Sequence, residues 1–98
     1  MNTEICDAIL TRHLLLVRFD GFTRVVEPHA YGVTKDGHEV IRAWQVSGGA
    51  TGNEKPVGWK LLQLNDMRAL SVISELFEEP RPRYMRDDKA IHHIYAQL

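Results

Sequence analysis

From Leu14 onward, apolar and polar residues follow the short period of strands. LLLVRF and FTRVVEP flank Asp20-Gly21, a pair suited to a two-residue hairpin turn because Asp and Gly tolerate positive φ. That turn predicts Phe19 opposite Phe22, Val17 opposite Arg24 and Leu15 opposite Val26, with all six on one face. Arg24 then lies in an apolar row. A second hairpin is predicted around Asp36-Gly37, between HAYGVTK and HEVIRAWQV, with Pro28 at the corner between the two strand pairs because it cannot donate to a ladder.

Two loop lengths fit the second turn. A two-residue loop puts Tyr31 opposite Arg42 and His29 opposite Trp44. A three-residue loop, Lys35-Asp36-Gly37 with a glycine bulge, separates His29 and Tyr31 from Arg42 and Trp44.

Before the strands, Thr3 is placed to cap a helix running to about Arg12, with Ile5, Ala8 and Ile9 on one face. Ser47 to Gly58 reads as a loop before the strand GWKLLQL. Its glycines do not sit in the frame of a phosphate loop. Leu70 to Ile73 fits a last strand or the start of a helix reaching Phe77. Beyond Pro80 and Pro82, Asp87 or Asp88 is placed to cap a final helix with Ile91, Ile94 and Leu98 inward. The fold class expected is mainly β: a small barrel in a single domain over 1–98, with an N-terminal helix (1–12), barrel strands (14–73) and a short helical or extended C-terminal segment (74–98).

Composition narrows the functions. Twelve Lys and Arg against thirteen Asp and Glu give a net charge of -1, so affinity for polyanions must come from a local patch. A lone cysteine, Cys6, and the lack of a recognisable signal peptide read as a reduced, cytoplasmic protein. The longest apolar run, Leu14 to Val17, is far short of the ~20 residues a membrane helix needs, so no membrane partner is expected.

The chemistry-bearing residues concentrate in the second hairpin. His29, Tyr31, Arg42 and Trp44 on one face form a platform for stacking a base or planar ligand in the two-residue register; the same residues also serve as ordinary cross-strand contacts. Neighbouring His92-His93 point apart on a helix and do not make a metal site. Asp87-Asp88 and Glu78-Glu79 stand among Arg81, Arg83, Arg86 and Lys89, as a solvated charged run does. PRPRYMR (80–86) suits phosphate contact, docking as an extended segment, or a plain connector. No nucleophile, base and orienting group stand out, so no enzyme, catalytic residue, metal or cofactor is expected.

RVVEPHAYGV, GHEVIRAW and GWKLLQLNDM resemble the WYL domain family over about Leu14 to Ile73, most specifically at Arg24 to Pro28. Glu39-Val40-Ile41 stands where the family's Trp-Tyr-Leu tripeptide would be. The resemblance implies a small Sm-like, SH3-type β-barrel. It also implies a role like that of bacterial and phage transcription regulators, in which this domain binds a ligand, sometimes single-stranded nucleic acid, and passes that state to a DNA-binding domain. The chain has no room for the latter, so the expectation is a stand-alone module that binds a nucleic acid or nucleotide-like ligand through Arg24, His29, Tyr31, Arg42, Trp44 and Lys60, with a regulatory protein partner. Gln63 and Asp66 replace later-strand arginines, which weakens polyanion binding. The alternative is a protein-interaction module or homo-oligomer associating through strand edges.

Overall fold

The computed structural model describes all 98 residues. In chain order the elements are α1 (Thr3–Thr11), β1 (His13–Phe19), β2 (Phe22–Val33), β3 (Glu39–Gly48), β4 (Gly58–Gln63), a 3-10 turn (Leu64–Asp66), β5 (Met67–Leu76) and β6 (His93–Gln97). The strands form one antiparallel sheet in the order β4-β3-β2-β1-β5, with β6 also on β2, and the sheet is not closed. The class is mainly β, as expected. No helix is long and apolar enough to cross a membrane.

The Asp20-Gly21 hairpin has the register read from the sequence: Phe19 faces Phe22, Val17 faces Arg24 and Leu15 faces Val26. At the second turn the three-residue loop is the one formed. The Thr34 amide donates to the His38 carbonyl at 2.8 Å, and Gly37 takes φ +85°, which an L side chain resists. Tyr31 therefore faces Ile41, and Ala30 faces Arg42. The pairs Tyr31–Arg42 and His29–Trp44 of the shorter loop do not form.

A bulge between Pro28 and Ala30 then changes the alternation again, so that Pro28 faces Ala43 and Glu27 faces Trp44. β2 is thus one continuous strand bent at Pro28, and the corner expected there is a bulge rather than a strand end. Past the bend, β2 exchanges its β1 neighbour for β6, with Tyr31 on Ala96 and Gly32 on Ile94.

The inward face carries Leu15, Val17, Val26, Tyr31, Ile41, Ala43 and Leu62, against which α1 packs Ile5, Ala8 and Ile9. Burial of this set drives the fold at about 25 cal/mol per Å² of apolar surface removed from water. Asn2, not Thr3, caps α1: its side chain accepts from the Ile5 amide at 3.2 Å. The Asn2 amide donates to the Tyr31 hydroxyl at 2.8 Å, and that hydroxyl donates to Glu39. Tyr31 is therefore an interior residue tying α1 to the sheet.

The C-terminal segment is not helical. Residues 77–92 cross the outer face of β2, β3 and β4 as an irregular arm, and His93–Gln97 pairs with β2. The helical spacing of Ile91, Ile94 and Leu98 was outweighed by the ladder that the far half of β2 offers. Leu70 to Ile73 lies inside strand β5.

Candidate functional site: a buried cation pair beneath a loop

The six sequence-predicted residues fall in three places. Tyr31 lies at the α1 end of the interior. His29, Arg42 and Trp44 lie on the outer side of the sheet. Arg24 and Lys60 meet inside it, at the end remote from α1, where the loop joining β3 and β4 folds over.

Strand alternation explains the interior pair. Lys60 precedes the inward Leu62 by two residues and faces Ala43, while Arg24 precedes the inward Val26 by two. Gln45, two residues beyond Ala43, joins them. Arg24 and Gln45 are fully buried and Lys60 is 8% exposed. Burial of charged groups at this depth requires partners.

The loop supplies one. Glu54 Oε1 accepts from Arg24 Nη1 at 3.0 Å and from Lys60 Nζ at 2.7 Å. The Lys60 hydrogen bond first, and Arg24 with it, hold the Glu54 carboxyl below its ordinary range. Arg24 Nη1 also donates to Gln45 Oε1 at 3.1 Å, and Gln45 Nε2 donates to the Gly49 carbonyl at 3.0 Å. The guanidinium lies 5.1 Å from the Phe19 ring centre and 5.9 Å from that of Phe22.

One edge of the guanidinium is unused. Nε and Nη2 of Arg24 are buried and have no hydrogen-bond partner. This is the edge by which the other two ion-paired arginines grip carboxylates: Arg42 holds Asp88 through Nε and Nη2 at 2.6 and 3.5 Å, and Arg81 holds Glu27 at 2.8 and 3.0 Å. An unsatisfied buried donor costs about 1–3 kcal/mol. Arg24 is thus an expensive side chain with its bidentate fork facing no acceptor.

The outer side brings aromatic rings together but covers them with the chain's own arm. Trp44 and Trp59 stand edge to face at 5.5 Å, and His29 joins through the bulge, 4.7 Å from Trp59, 5.4 Å from Phe77 and 5.1 Å from Tyr84. Arg81 lies over Trp44 at 5.3 Å while pairing with buried Glu27, and Trp59 Nε1 donates to the Pro82 carbonyl at 3.0 Å. His29 is fully buried; its Nδ1 donates to the Glu27 carbonyl at 2.8 Å and its Nε2 accepts the Arg81 amide at 3.0 Å. Those two bonds define a neutral ring, and burial holds its pKa below the ordinary value. PRPRYMR (80–86) lies wholly within this arm, and its Arg81, Pro82 and Tyr84 bond to the protein itself.

Beside the arm, a recess of 620 Å³ is lined by Arg42, Trp59, Tyr84 and Arg86 among others. Its Arg42 is already engaged by Asp88, whose carboxyl is affected most by burial, which opposes ionisation, and yet is held below its ordinary range by Arg42 and the Ala90 amide together. The interior cluster is therefore the better candidate.

Sequence reasoning missed Gln45 and Glu54. Gln45 was findable as the next inward position after Ile41 and Ala43. Glu54 is the one carboxylate between Ser47 and Gly58, but nothing local marks it as reaching into the sheet. Comparison with family models, with curated proteins and with solved structures found no match to this chain.

Proposed function

We propose that the protein is a WYL-like regulatory module that binds a phosphate-bearing ligand, either nucleotide-like or single-stranded nucleic acid, in a pocket that opens over the buried cluster of Arg24, Gln45 and Lys60. The observation that carries this reading is the unpartnered Nε/Nη2 edge of a fully buried arginine. A planar fork matches phosphate oxygens two at a time, and a lysine beside it adds a compact charge. Phe22, 37% exposed and 5.9 Å from the Arg24 guanidinium, supplies a ring on which a base stacks.

The N-terminal helix and the strand order β4-β3-β2-β1-β5 support reading the sheet as an opened Sm-like, SH3-type barrel. The module acts by binding rather than catalysis, in the cytoplasm, and delegates its output to a regulatory protein. Isothermal titration with 5′-nucleotides and with short oligonucleotides lacking a terminal phosphate tests the reading. Heat that Arg24→Met abolishes supports it, and the responding ligand tells a terminal phosphate from a backbone one. No heat from either class contradicts it.

A second reading, self-association or protein docking, draws on β5. This strand pairs only with β1, and Val72 and Leu76 are 38% and 63% exposed on it. A mass by light scattering that grows with concentration and reverts in Val72→Lys would favour this reading; a constant monomer mass would exclude self-association.

A further inference from the structure

The loop over the Arg24–Lys60 cluster is fastened almost wholly by the cluster's own polar side chains. Residues 51–57 are all exposed, Val57 among them at 52%. Outside the ladders, the loop's backbone hydrogen bond is internal, from the Glu54 amide to the Thr51 carbonyl at 3.1 Å. Its polar ties to the sheet are three: Gln45 to the Gly49 carbonyl, Lys60 to the Lys55 carbonyl, and Glu54 to Arg24 and Lys60. The Gly49 backbone also lies against the Phe22 ring.

The carboxylate sits on the cations in a particular way. Both Arg24 and Lys60 meet the same oxygen, Oε1, while Oε2 faces the Thr51 amide of the loop at 3.4 Å. Glu54 therefore neutralises the pocket without engaging the arginine's bidentate edge. A phosphate, with more oxygens than a carboxylate held by one atom, competes with Glu54 wherever it draws on Lys60 or Arg24 Nη1.

We infer that Glu54 is a built-in competitor for the pocket: it occupies the cation pair in the unliganded protein, and a phosphate-bearing ligand displaces it, releasing loop 49–57 as the signal of binding. The inference rests on the pocket being the ligand site. Two linked equilibria follow. Ligand affinity is reduced by the fraction of molecules in which Glu54 is seated, and ligand binding frees the loop to the extent that it excludes that carboxylate.

The test measures inorganic phosphate affinity for the wild-type protein and Glu54→Gln, which keeps the loop's size and a carbonyl acceptor while removing the charge. Amide hydrogen exchange over residues 49–57 of the wild type, with and without phosphate, is the second readout and needs no variant. The expected results are affinity at least about tenfold tighter in Glu54→Gln and faster loop exchange in the wild type when phosphate is present. Equal affinities, or a loop whose exchange is unchanged or slowed, overturn the competitor role while leaving the pocket as a ligand site. If phosphate binds neither protein, the pocket reading fails and the inference with it.

Discussion

Arg24 and Glu54 share a single nitrogen-to-oxygen contact of 3.0 Å, although the arginine is wholly buried and has a second, better edge for a carboxylate. The other two ion-paired arginines use that edge. A pair designed for stability would do the same.

Arg24 is therefore expected to be dispensable for folding. Removing one partner of a buried pair is costly when it strands the other charge, but Glu54 is one-third exposed and keeps Lys60 as its cation when Arg24 is replaced by an apolar residue of similar length. Arg24→Met should keep or raise the free energy of unfolding in urea, while ligand binding is lost. A loss of several kcal/mol would make Arg24 a structural residue.

Stability should fall on mild acidification because of His29. Burial lowers its folded pKa below the ordinary 6.5, so beneath that pH the unfolded chain takes up a proton that the folded ring refuses. The contribution is intact above about pH 7 and declines as the pH falls below the unfolded ring's ordinary value of about 6.5. Glu54 and Asp88, held below the carboxylate range, add a further loss beneath about pH 4. Thermal melts of wild type and His29→Asn between pH 5 and 7 check this: the variant should be less stable at pH 7 and nearly flat across the window.

The arm over the outer face should depend on Arg81. Its removal strands Glu27, 5% exposed, without its cation, and uncovers Trp44. Arg81→Ala should cost about 2 kcal/mol, less than for a fully buried pair because Arg81 is partly exposed. Tryptophan emission should shift to the red.

β6 should require glycine at position 32. A Cβ there would overlap the His93 carbonyl and the Ile91 side chain where β2 and β6 pair. Overpacking against backbone of this kind costs about 1–3 kcal/mol. Gly32→Ala should therefore destabilise the fold and speed amide exchange across 93–97.

The parts of this fold that were legible in the sequence are those fixed by short-range chemistry. Asp20-Gly21 dictates its own turn, and the register carries Arg24 inward opposite Val17. Asp36-Gly37 left two loop lengths open, and the choice fell to the longer because Gly37 closes a bulged turn. The bulge at His29 had no local signature; it follows from β2 bending to serve β1 and then β6. The helix expected after Asp88 failed for the same non-local reason, since Ile91, Ile94 and Leu98 suit a helix equally well until a strand edge is in reach. Glu54 was illegible because its partners lie 30 residues before and 6 residues after it, at positions 24 and 60.

The central claim, that the buried edge of Arg24 receives a ligand's phosphate, is tested most directly by NMR at that edge. Uniformly ¹⁵N-labelled protein is titrated with a 5′-nucleotide while the Arg24 Nε–H resonance is followed. The account predicts a saturable downfield shift of this proton as it gains a charged acceptor, together with changes at Lys60 and across residues 49–57. An Arg24 Nε–H resonance that stays put while the nucleotide saturates the protein elsewhere would contradict it.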